Sequence, residues 1–185
     1  DDSDRGHRDQ SPASARTLLK EDDVVRFFLE ESESGVHVLA SPHSPAGVDT
    51  PLGDELHPLI GFCRRNFDYV VVDGGTSLSS LQGDLLGYSD DRVLVVTPDL
   101  PTLRNLKKAL DLYGRTNGKG PLRLVLNQYM DGVGLTSQDV EDGLGHRLAL
   151  TIENDDVKIL QSINVGRPEV QSGRSPFAKK LMDFG

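Results

Sequence analysis

The stretch Phe67-Asp68-Tyr69-Val70-Val71-Val72-Asp73-Gly74-Gly75 decides how this chain is read. Four successive apolar or aromatic residues, Tyr69 to Val72, suit a parallel strand covered on both faces, where side chains pointing either way meet apolar neighbours. Asp73 then falls at the C-terminal edge of that strand, the edge at which open α/β sheets bind ligands. A carboxylate at such an edge can hold Mg²⁺ directly or through water, and a following glycine can offer its backbone N–H to a terminal phosphate. The same acid can equally do no more than cap the turn that follows it.

Outward from this stretch, strands and helices alternate. Upstream, Leu18, Leu19, Val24, Val25, Phe27, Phe28 and Leu29 suggest one or two short helices, and residues 36–40 read as a strand entering a Pro-rich loop at Ser41 to Pro51. A helix is predicted over Leu56–Asn66, then the strand Tyr69–Asp73, a helix over Leu78–Tyr88 and a strand over Arg92–Thr97 that Pro98 ends. Pro101 suits the first turn of a helix running to Arg115, with Leu103, Leu106, Leu110 and Tyr113 at helical spacing. Strands follow at Leu122–Asn127 and Arg147–Ile152, separated by a helix over Thr136–Gly143 that a Thr cap opens. Helices over Asp155–Ile163 and Ser175–Phe184 close the chain. Such alternation implies an α/β fold with a mostly parallel sheet and helices on both faces.

Composition narrows the function classes. At 185 residues and 20.2 kDa the chain has the length of one well-buried domain. That domain is assigned to residues 15–185, after a charged, Ser- and Pro-containing lead-in at 1–14 that is expected to be flexible. Hydrophobic residues at 36% and charged residues at 26%, with no long apolar run, fit a domain without a transmembrane span or signal peptide. A single Cys63 supports neither a disulfide framework nor a cysteine metal site within the chain, and a reducing cytoplasm fits it. The formal charge of −9 argues against nucleic acid as a direct partner, because neutralising phosphates takes clustered Lys and Arg.

Taken in order, the segments FDYVVVDGG, VLVVTPDLPTLRN, LRLVLNQY, TIENDDVKILQSINVGRP and SPFAKK resemble the C-terminal two-thirds of MinD/ParA-type ATPases. These are P-loop NTPases with a deviant Walker A motif. Within that superfamily the chain most closely resembles the CpaE/TadZ pilus-assembly proteins, over residues 35–182. The resemblance implies a P-loop fold that binds ATP and Mg²⁺, forms a homodimer around nucleotide, and positions cellular machinery such as a pilus or secretion apparatus. It places the chain in the cytoplasm, recruited to the inner face of the membrane or the cell pole, with any membrane contact indirect. By the same resemblance Asp73 matches the Walker B acid associated with Mg²⁺, and Gly74-Gly75 the start of the switch that senses the terminal phosphate. Asn127 matches the side chain that reads the base, a role suited to a carboxamide that both donates and accepts. Pro98-Asp99 and the Glu153-Asn154-Asp155 loop match segments flanking the base, although Glu153 stands where the family usually has proline.

One element of the family pattern is missing from these residues. A P-loop needs a glycine-rich turn whose N–H groups cradle phosphate, and a Lys-Ser/Thr pair for phosphate and Mg²⁺. Gly118-Lys119-Gly120 precedes a strand and lacks the hydroxyl residue. The chain opens on Asp1 rather than Met, so the expectation is a fragment whose P-loop lies upstream, with ATP and Mg²⁺ assigned to the parent family and little or no ATP hydrolysis by this chain. The alternatives are a degenerate, non-hydrolysing scaffold of the same fold, and a septum-site or DNA-partition positioning ATPase.

The remaining chemistry-bearing residues read as structural. His7, His37, His43, His57 and His146 are dispersed without metal-ligand spacing. Ser77, Ser79 and Ser80 lack a Gly-x-Ser-x-Gly elbow and suit helix capping. The pairs Asp90-Asp91 and Asp155-Asp156 read as turns or helix starts. Phe177, Leu181 and Met182 form the apolar side of a terminal helix too short and too weakly basic for membrane targeting, so core packing is expected of it.

Overall fold

The computed structural model describes residues 30–32, 34–39, 53–76, 80–114 and 120–185. The lead-in, the helices expected among residues 18–29, the Pro-rich loop at 41–51, Ser77, Ser79 and Gly118-Lys119 lie outside the described residues. Two compact units divide at Val72 and Asp73.

In the unit ending at Val72, a two-residue strand β1 (Glu30–Glu31) pairs antiparallel with β2 (His37–Val38). The strand expected over 36–40 is therefore shorter than expected, and its ladder partner is antiparallel. Helix α1 (Gly53–Asn66) buries Phe62 and ends where the Phe67 N–H donates to the Cys63 carbonyl at 2.9 Å. The Phe67 ring meets His37 at 5.2 Å between centroids.

The segment Tyr69–Asp73, expected as a buried strand, forms no strand and has no ladder partner among the described residues. Tyr69 is 90% exposed and Val71 95% exposed. An apolar run becomes a strand only where a neighbouring backbone takes up its N–H and C=O groups; hydrophobicity alone does not supply that partner.

The unit Asp73–Gly185 is built on three parallel strands, β3 (Arg92–Val96), β4 (Leu122–Tyr129) and β5 (Leu148–Glu153), in the order β3-β4-β5. Ahead of them runs helix α2 (Ser80–Tyr88). Helix α3 (Leu100–Tyr113) connects β3 to β4, and α4 (Ser137–Leu144) connects β4 to β5. Side chains alternate across a sheet, so Leu94, Val96, Leu124 and Leu126 share one face. There Val96, Leu124 and Leu126 form the core with Leu106 and Ala109 of α3 and Val140 and Leu144 of α4.

After β5 come α5 (Asp156–Val165), a 3₁₀ turn (Glu169–Ser172) and α6 (Pro176–Phe184). Helix α6 serves the opposite sheet face, where the Arg123 guanidinium lies 5.4 Å from the Phe184 ring centroid and pairs with Asp91 at 2.7 Å. Helices thus lie on both faces, as the alternating pattern implied. Val93 and Val95, on the α6 face of β3, are 47% and 59% exposed. Helix α5 buries none of its residues, and Val157, Leu160, Ile163 and Val165 all stand exposed on it.

The helix starts follow from local chemistry. Thr136 and Asp139 exchange hydrogen bonds in a capping box at the start of α4, and Ser175 accepts from the Ala178 N–H to open α6, with Pro176 in its first turn.

Burial ranks the core positions. Leu126→Ala should cost about 2–5 kcal/mol of stability, because a fully buried leucine leaves a cavity behind. Val95→Ala should stay within about 0.5 kcal/mol. Urea denaturation of both variants checks this, and equal losses would contradict the assignment of the two faces.

Candidate functional site

Parallel pairing brings the C-terminal ends of β3, β4 and β5 to one edge of the sheet. Val96 is in register with Leu126, Leu126 with Thr151, and Tyr129 with Glu153. Pro98 and Asn154-Asp155, expected from the sequence to work with Asn127, follow β3 and β5 at that edge, and Asn127 lies two residues before the end of β4.

Past β3, the chain turns through Thr97-Pro98-Asp99 into α3. The Asp99 carboxylate accepts from the Thr102 N–H at 2.8 Å, from the Thr102 hydroxyl at 2.8 Å and from the Thr97 hydroxyl. It therefore caps α3, and its oxygens are engaged with its own turn. The Thr97 hydroxyl foremost, then the Thr102 groups, hold the Asp99 carboxyl below the usual carboxylate range. The Pro98 carbonyl accepts from the Leu135 N–H at 3.2 Å. That approach needs glycine at 134, where φ is +72° and a Cβ would lie 2.6 Å from the Pro98 oxygen.

Strand β4 continues two residues beyond Asn127. Gln128 has φ of 56°, and the register with β5 slips between Leu126 and Tyr129. This bulge re-aims the strand end beside half-buried Asn127. Past it, the Tyr129 carbonyl accepts from the Asn154 N–H at 2.9 Å, tying the β5 loop to the end of β4. Asn154 also donates through its side chain to Asp156 at 3.0 Å. Asp155 stands at the start of α5 without a side-chain cap and pairs with Lys158 at 2.9 Å.

Glu153 is held by Lys180 of α6 at 2.5 Å, and that hydrogen bond keeps its carboxyl below the usual range.

The turn at Asp73-Gly74-Gly75 stands outside the three-strand ladder. The exposed Asp73 carboxylate accepts from the Gly75 N–H at 2.9 Å, and Gly75 has φ of +67°. Its visible role is the turn-capping one. Among the described residues, no group of three or more His, Cys, Asp or Glu side chains forms a metal-binding cluster.

The fold has solved counterparts. A ParA family ATPase from Chlorobium tepidum superposes with a TM-score of 0.80 over 94% of this chain and 71% of its own, at 22% identity. MinD from Aquifex aeolicus gives 0.65 over 94% and 75%, at 18% identity. The fold is that of the ParA and MinD proteins. Among curated proteins, an uncharacterized ATP-binding protein of Methanocaldococcus jannaschii is 28% identical over 104 residues, 55% of this chain and 40% of that protein. The septum site-determining protein MinD of Bacillus subtilis is 21% identical over 119 residues, 62% of this chain and 44% of that protein. The chain thus matches less than half the length of either curated relative. No protein-family model matches it.

Within the ParA-like sheet, Pro98 and Asn154-Asp155 follow strand ends whereas Asp73 follows no strand, and the sequence signal missed two contacts. The Asp99 cap was legible in principle, since Asp99 and Thr102 stand at the spacing of an N-cap and its N3 residue. Lys180 gave no local signal, being 27 residues from Glu153.

Removing the cap should be measurable. Asp99→Ala should lose about 1 kcal/mol of stability at neutral pH. Because the folded pKa is depressed, the contribution is complete above the ordinary carboxylate range and disappears as pH falls through the lowered value. Thermal melts across that acid range should show the gap between wild type and variant closing. A gap independent of pH would refute the cap's contribution.

Proposed function

We propose that this chain is the C-terminal part of a MinD/ParA-like ATPase of the CpaE/TadZ kind, whose parent positions or assembles a pilus or secretion apparatus. The observation that carries the reading is the placement of Pro98, Asn127 and Asn154-Asp155 on adjacent strand ends of a sheet with the ParA fold. Open α/β sheets bind nucleotides at that edge.

The side chains present fit part of the nucleotide. Asn127 offers a donor and an acceptor to a base edge. Asp73 has one carboxylate oxygen on Gly75 and a second that suits a water of a hydrated Mg²⁺. Mg²⁺ in such sites takes most of its ligands from phosphate oxygens and water, with one or two carboxylates. Phosphoryl transfer in such folds rests on positioning and charge stabilisation. None of the 185 residues supplies a glycine-rich cradle with its Lys-Ser/Thr pair, so this chain alone should turn over little or no ATP.

The partners in this reading are a second copy of the chain and proteins of the pilus or secretion machinery. They meet in the cytoplasm at the inner membrane face or pole, without direct nucleic-acid contact.

Calorimetry with ATP·Mg²⁺ on the folded chain tests the reading. Asn127→Ala should weaken binding about tenfold, as loss of a base-directed hydrogen-bond pair implies. Asp73→Ala should weaken it chiefly when Mg²⁺ is present. Binding indifferent to both changes, or no binding by the folded wild-type chain, would overturn this assignment of the site.

A further inference from the structure

Asn127, assigned to the base, and Asn154, in the loop assigned to flank it, stand on different strand ends, and their separation depends on how β5 terminates against β4. From outside the sheet, Lys180 of α6 braces that junction. Lys180 Nζ donates to the Thr151 carbonyl at 2.9 Å and to both Glu153 carboxylate oxygens at 2.5 and 2.7 Å. The ammonium thus grips the last turn of β5 by its backbone and its side chain together.

The gripped residue is the one that sets the loop. Glu153 is in register with Tyr129, and the Tyr129 carbonyl holds the Asn154 N–H. On the other side of Tyr129 lies the Gln128 bulge and then Asn127. A shift of the β5 end therefore moves Asn154 relative to Asn127. The platform carrying Lys180 is itself fixed, by the Ser175 cap, by fully buried Ala178 and by the Phe184 ring against Arg123.

We propose that Lys180 is a positioning residue for base selectivity, acting through Glu153 to fix the spacing of Asn127 and Asn154. This rests on the nucleotide reading of the site. Adenine and guanine differ by whether an amino or an oxo group faces the reading side chains. A site that discriminates them by hydrogen bonds loses its discrimination when its donors and acceptors are displaced. Lys180 touches neither base nor phosphate in this account, so its removal acts on the preference between purines more than on affinity for phosphates.

The test is calorimetry of the full chain with ATP·Mg²⁺ and with GTP·Mg²⁺, for wild type, Lys180→Met, Lys180→Arg and Glu153→Gln. Lys180→Met should narrow the ATP to GTP affinity ratio about threefold to fivefold, the scale of an exposed ion pair. Lys180→Arg, which still pairs with a carboxylate, should recover most of it. Glu153→Gln should reproduce the Met variant, and it serves in its place if that variant fails to fold. An equal loss of affinity for both nucleotides, leaving the ratio unchanged, would mean a merely structural Lys180 and would overturn the proposal. Absence of binding by folded wild type would instead bring down the nucleotide reading itself, and the proposal with it.

Discussion

Five successive register pairs, from Arg92 with Leu122 to Val96 with Leu126, lock β3 to β4 in parallel, and the remaining features of the larger unit depend on that pairing. Parallel strands cannot be joined by a tight hairpin, so each connection must cross back over the sheet. Helices α3 and α4 make those crossings and cover the face bearing Val96, Leu124 and Leu126. A slip of one residue would turn these side chains to the other face and expose the apolar surface of both helices. The register that buries the core is also what aligns the three strand ends. Stability and site placement are here consequences of one constraint.

Sequence periodicity carried well wherever an element made its own contacts. The α3 pattern of Leu103, Leu106 and Leu110 faces the sheet as its spacing required, and Thr136 opens α4 as the cap expected of it. Periodicity failed at Tyr69–Asp73, because a strand depends on its neighbours and a run of valines does not name them. The end of β4 was placed two residues early for a related reason: the Gln128 bulge lets pairing resume at Tyr129, and no composition signal marks it. The family resemblance, read from ordered segments, identified the fold that the individual elements left open.

Within the candidate site, the carboxylates and carboxamides divide their work. Asp73 and Asp99 are each engaged by a backbone N–H close by in sequence, so both help to build the turns they stand in. Asn154 spends its backbone N–H on Tyr129 and its side chain on Asp156. An acidic or amide residue beginning a turn satisfies nearby backbone groups before it can serve a ligand. Strand-end motifs of this kind therefore encode the shape of the edge as much as its chemistry.

Helix α5 buries none of its residues. A ten-residue helix is marginal in water without packing, and α5 is held by half-buried Ile159, by the Lys158 pair with Asp155 and by Gly166 at its close. In the language of hydrogen exchange, so little burial predicts local opening of its amides at a lower free energy than for those of β4 and β5. Asn154 and Asp155 thus sit where a strand end tied to β4 meets a sparsely buried helix.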